Sequence, residues 1–223
     1  MDIKRLNQLI EKLRRDVIGR PEWIESKHVF EYKTQSIPVV ATLKLIRAAH
    51  GLNALYVLCG AGLFIDFGAV IRSINDCTEE IYFLLESYPE QPSKHVDQFL
   101  KAFFENTIDG YLDGETHQVS RDKIRSAVVR VLKGGQDDAV QKMLETIYKT
   151  FCGYTHANYA HVMEVYEGIH DSFNLEGVPS HPQMALKSEH IQIAADSVLM
   201  AAAYLAKKLN RDALGLELMK CVR

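Results

Sequence analysis

Two polar islands interrupt otherwise apolar stretches of this sequence, and both hold residue types that do chemistry. The first is Arg72, Asn75, Asp76, Glu79 and Glu80, which lie between Leu63-Phe64-Ile65 with Ile71 on one side and Ile81-Tyr82-Phe83-Leu84-Leu85 on the other. Offsets of three and four residues bring Arg72, Asp76 and Glu79 into one narrow sector of a helix. A guanidinium flanked by carboxylates can bind an anion or offer charge to a reacting phosphate. Buried, the same set can instead be an ion-pair network that fixes helix register, because an unpaired charge inside a bundle costs several kcal/mol.

The second island runs from Tyr148 to His161. If the helix is unbroken, Tyr154, Asn158 and His161 share a face, while His156 and His161, five apart, point in different directions and do not chelate one ion. His156 has the residue type for general acid or base work, with a hydrogen-bonded core histidine as the plainer reading. The candidate catalytic set is therefore Arg72, Glu79 and His156, and the candidate ligand-binding set is Asn75, Asp76, Tyr148, Asn158 and His161. Cys152 precedes His156 by four residues, the spacing of a thiol and its base, but its apolar neighbours favour an inert buried thiol. His161 and Glu164 stand in the reverse order of the Glu-x-x-His of di-iron bundles, and the second copy such sites require is absent. With no P-loop, GxGxxG, HExxH or zinc-type spacing either, neither a metal nor a cofactor is expected.

The elements that must position these islands read as helices. Ile3, Leu6, Ile10, Leu13 and Val17 form a narrow apolar seam, which packs on the body of the protein or on a second copy in a homodimer. After Gly19-Arg20-Pro21 comes an irregular or short-helical connection from Glu22 to Ser36. A long helix then runs from Ser36 to Gly60, with Pro38 in its first turn, and a central one from Gly62 to Tyr88. Ser93 caps a helix with Val96, Phe99, Leu100, Phe103 and Phe104 on one face, and Asp109-Gly110 and Asp113-Gly114 mark a turn-rich loop. Further helices are expected from Ser120 to Gly134, from Asp137 through Gly153 to Glu167, and from Ser188 to Leu209, with a loop over Gly168–Pro182 and no strand anywhere.

Composition sets the outer limits. The chain has 223 residues, 47% of them apolar and 25% charged, with a formal charge of -3, so a single domain over residues 1–223 with a generous core is the simplest reading. That balance exerts no overall pull toward nucleic acid or anionic lipid. Cys59, Cys77, Cys152 and Cys221 are scattered and form no CxxC, which fits reduced thiols in a cytoplasmic protein. The apolar stretch Leu52–Ile71 approaches the ~20 residues of a membrane span. Gly60, Ala61, Gly62 and Asp66 interrupt it, so two buried helices meeting at the glycines, and no membrane, are expected.

Ile71-Arg72-Ser73-Ile74 ahead of Glu79, followed by Tyr148-x-x-Phe151-Cys152-x-x-x-His156, resembles the paired signatures of a bacterial family of uncharacterised all-helical proteins. In that family an Ile/Leu-Arg-Ser motif precedes an acidic residue, and a later helix reads Tyr-x-x-Leu-Ser-x-x-x-His. The wider resemblance, over roughly Val39 to Glu167, is to the HEPN superfamily, many of whose members are ribonucleases of toxin–antitoxin and phage-defence systems. It implies an RNA or other anionic ligand and, for catalysis, a cation and a histidine acting together on a phosphate. The chain departs from the ribonuclease pattern: no arginine stands four to six residues before His156 or His161, and Lys149 lies seven before His156. Arg72 would have to supply the cation from the other helix.

The expected fold is an all-α bundle of about seven to nine helices. Three functional readings follow: a HEPN-like protein that binds or cleaves RNA, a non-catalytic dimerising interaction module whose buried polar residues are structural, and a metal-dependent bundle enzyme.

Overall fold

The protein, seen in a computed structural model, is described for residues 1–105, 119–168, 170–178 and 181–222. The expected turns at Asp109-Gly110 and Asp113-Gly114 lie outside the described residues. Nine α-helices are present among the described residues: α1 (Ile3–Ile18), α2 (Ile37–Gly60), α3 (Phe64–Leu85), α4 (Lys94–Glu105), α5 (Arg121–Lys133), α6 (Asp138–Thr155), α7 (Tyr159–Val162), α8 (His181–Lys208) and α9 (Asp212–Met219). The all-α bundle expected from the apolar spacing is the fold.

At its centre, α3 packs on α2, α5, α6 and α8. Small residues set how close its neighbours come. A Cβ on Gly51 of α2 would meet Ile74 of α3 at 2.9 Å, so the α2–α3 pair is joined through a residue without a side chain. On α8, Ala194, Ala195, Ala201, Ala202 and Ala206 are all buried, and their short side chains let the helix lie against α2 and α3. One connected hydrophobic core runs from Leu6 to Cys221.

The apolar seam of α1 is spent inside the chain. Asp2 caps the helix by accepting from the Arg5 amide at 2.9 Å, and Leu6, Leu9, Ile10 and Leu13 are buried against α2, α8 and α9. Of the two destinations open to the seam, the body of the protein takes it.

Three expectations are corrected. Two small antiparallel hairpins exist, β1 (Glu22–Ile24) with β2 (Val29–Glu31), and β3 (Tyr166–Glu167) with β4 (Ser172–Phe173). Strands of two or three residues are too short to show an alternating pattern. The helix drawn from Asp137 to Glu167 stops at Thr155, because Ala157 takes a positive φ of 50° and Asn158 starts a separate short helix. The last long helix begins at His181, seven residues earlier than Ser188, with Pro182 in its first turn, where a missing N–H is tolerated.

Among the described residues no helix is long and apolar enough to cross a membrane. The interruption at Gly60–Gly62 is real: Gly62 has a φ of 69°, and its carbonyl accepts from the Val178 amide at 3.0 Å.

Candidate functional site

The α3 segment carries Arg72 against Asp76, Glu79 and Glu80, a deficit of two positive charges in a place where charge must be matched. The missing cations come from neighbouring helices. Lys44 of α2 lies 2.6 Å from Glu80 Oε2, and Arg121 of α5 reaches Glu80 Oε1 at 2.7 Å and Asp76 Oδ1 at 3.2 Å. Arg72 pairs directly with Asp76 one turn along α3. Arg125, one turn beyond Arg121, lies 3.9 Å from Glu79 Oε2 and 3.2 Å from Asp122 Oδ1.

Between the two inner arginines stands the ring of Tyr148 from α6. The guanidinium carbons of Arg72 and Arg125 lie 3.8 and 4.0 Å from its centroid, so the ring is held between two cations. Arg72 Nε also donates to Cys152 Sγ at 3.4 Å. These contacts fix α3, α5 and α6 at one point. Burial pushes the Glu79 carboxyl above its ordinary range, opposed chiefly by Arg125.

The candidates are thus partly gathered. Arg72, Asp76, Glu79 and Tyr148 belong to one cluster, and Asn75 sits half-buried beside it, its carbonyl accepting from Thr78 Oγ1 at 3.0 Å. The others lie elsewhere. His156 caps the exposed end of α6, one turn past Cys152, and its amide donates to the Cys152 carbonyl at 3.0 Å. Asn158 is exposed at the start of α7. His161 packs edge-on against Tyr154, ring centroids 4.1 Å apart, over the bare backbone of Gly153.

A second polar knot went unforeseen. Tyr154 Oη donates to Glu164 Oε1 at 2.6 Å, and Lys187 Nζ of α8 donates to Tyr154 Oη and to Glu164 Oε2, both at 3.0 Å. Burial acts to lower the Lys187 ammonium, but its hydrogen bonds to Tyr154 and Glu164 prevail and hold it above its ordinary value. Burial first, then Glu164, raises the Tyr154 phenol. These hydrogen bonds make the knot a clamp between α6, α8 and the 164 segment.

On the outer edge of the α3 cluster is a cleft of about 240 Å³ between α2, α4 and α5. Lys44, Glu80 and Arg121 form its charged side, and Phe99, Phe103 and Ile124 its apolar walls. The Lys44 ammonium faces both rings, 5.5 Å from the Phe99 centroid and 5.3 Å from that of Phe103.

Neither polar island supplies ligands for a metal ion: among the described residues no three of His, Cys, Asp and Glu gather closely enough to hold one. Comparisons with protein-family models, with curated proteins and with solved structures return no match for this chain. The likeness to helical ribonucleases therefore stands on the short motifs quoted above.

Sequence reasoning missed Lys44, Arg121 and Arg125. A signal for two of them was present: Arg125 follows Ile124 and precedes Val128 on the apolar side of its helix, and Arg121 lies one turn before it. Basic residues on a buried face are the partners that Asp76, Glu79 and Glu80 of α3 require.

Proposed function

We propose that this chain is a non-catalytic binding module, a helical scaffold whose charged interior sets helix register and whose ligand site is the cleft at the edge of that interior. The observation that carries this reading is the enclosure of Arg72. Its guanidinium is engaged by Asp76, by the face of Tyr148 and by Cys152 Sγ, which leaves it poorly disposed to meet a phosphate. Asp76, Glu79 and Glu80 each likewise face a cation from their own or another helix, the arrangement expected of a network that holds elements together. The nucleolytic reading asks Arg72 and His156 to act on one phosphate; His156 stands exposed one turn past Cys152, whereas the Arg72 guanidinium is turned in toward Asp76 and Tyr148.

Incubation of the purified chain with total RNA, beside Arg72→Ala and His156→Ala, separates the two. On the binding-module reading the RNA stays intact with all three proteins. Arg72→Ala then lowers Tm by about 2–10 °C, the shift that ~1–3 kcal/mol produces in a protein of this size, and His156→Ala leaves Tm unchanged. Cleavage by the wild type that either substitution abolishes would establish the nucleolytic reading instead.

A further inference from the structure

We infer that the cleft between α2, α4 and α5 is a binding site for a small oxyanion, a carboxylate or a phosphate monoester, that carries an apolar body of roughly one aromatic ring. The inference rests on reading the chain as a binding module and names the ligand class for its site.

The charge around the cleft points to an anion. Of the described residues that line the cleft, Lys44 and Arg121 bring two positive charges against the one carboxylate of Glu80. The surplus lies on the cleft side: the Lys44 and Arg121 side chains are 21% and 28% exposed, whereas those of Arg72 and Arg125 are 11% and 3% exposed.

Hydrogen-bonding capacity points the same way. An ammonium has three donors and a guanidinium five, while among the described residues the carboxylate oxygens within reach of Lys44 and Arg121 are the two of Glu80 and Asp76 Oδ1. The cations bordering the cleft therefore have donors to spare, which an incoming oxyanion accepts. Among the described lining residues a cationic ligand finds one carboxylate, that of Glu80, already shared between two cations.

Size and walls define the rest of the ligand. A volume of about 240 Å³ is below the ~300–1,000 Å³ of pockets for drug-sized molecules, which limits the occupant to about ten non-hydrogen atoms. Phe99 and Phe103, one turn apart on α4, face Ile124 of α5 across the space and suit a flat apolar group.

The test is calorimetric titration of the full chain with benzoate, phenyl phosphate, acetate, benzyl alcohol and benzylamine. Benzoate or phenyl phosphate binds at a single site, and the tighter of the two identifies the head group. Acetate lacks the body, benzyl alcohol the charge, and benzylamine has the wrong sign, so each is weaker by at least about tenfold. Lys44→Met and Arg121→Gln each weaken the anion by a similar factor. Because both also touch the ion network, Ala102→Leu serves as the second variant: it narrows the cleft without removing a charge and abolishes binding while the fold persists. Failure of both aromatic anions to bind below about 10 mM, benzylamine binding as tightly as benzoate, or unchanged affinity in Ala102→Leu each overturns the assignment. The RNA assay reads separately: intact RNA without anion binding sinks the ligand class alone, whereas RNA cleavage sinks the module reading.

Discussion

Glu79 is the most loosely paired of the buried acids Glu79 and Glu80, since its Oε2 lies 3.9 Å from Arg125 Nε, beyond hydrogen-bond reach. Its carboxyl is held above the ordinary range by burial, so the folded protein takes up a proton there more readily than the unfolded chain does. The stability this residue contributes is present in full below the ordinary carboxylate range and is lost as pH rises through the raised folded value. Urea denaturation of wild type and Glu79→Gln at pH 4 and pH 7 is expected to show the wild type losing ground to the variant as pH rises; a constant difference would remove Glu79 from the buried, uncompensated class. Arg125→Met alone leaves an acid without its nearest cation and costs about 3–5 kcal/mol, whereas the pair Arg125→Met with Glu79→Gln recovers much of that. Chemical denaturation of the three variants closes this cycle. At this scale the sequence was half informative. The spacing of Arg72, Asp76 and Glu79 identified a charged helix sector, but nothing in a one-dimensional pattern says that Tyr148 stands between Arg72 and Arg125, because that contact depends on how three helices cross.

The helices were legible where apolar residues recur at three and four and a capping or breaking residue marks the end, as at Ser36-Pro38 and Gly134. They were misread where the break comes from tertiary packing. Nothing about an alanine announces a positive φ, yet Ala157 takes one and ends the α6 region, which sends His156 and Asn158 to the surface and turns His161 back onto Tyr154. Glycine is informative at Gly68, in the second turn of α3, where a Cβ would overlap the ring of Tyr154. Gly68→Ala is expected to cost about 1–3 kcal/mol through overpacking. Gly60→Ala, at a position with nothing within 4 Å, stabilises α2 by up to about 1 kcal/mol. Thermal melts of the two variants should move in opposite directions, and a common direction would mean that α3 and α6 are not packed through Gly68.

For the whole molecule, the destination of the α1 seam decides what kind of stability the protein has. Leu6 and Leu13 are fully buried against elements of their own chain, so Leu6→Ala or Leu13→Ala should cost about 2–5 kcal/mol. That loss should be the same at low and high protein concentration, as measured by urea denaturation over a hundredfold range; a loss that shrinks with concentration would assign the seam to an interface between copies. The join between the α2–α3 turn and the segment ahead of α8 has a different consequence. Gly62 and Gly177 both have positive φ, a Cβ on Gly62 would collide with the Val178 backbone, and one on Gly177 would collide with the Ala61 carbonyl. Two positions more than a hundred residues apart thus meet at one crossing, where a side chain at either forces the facing backbone to move.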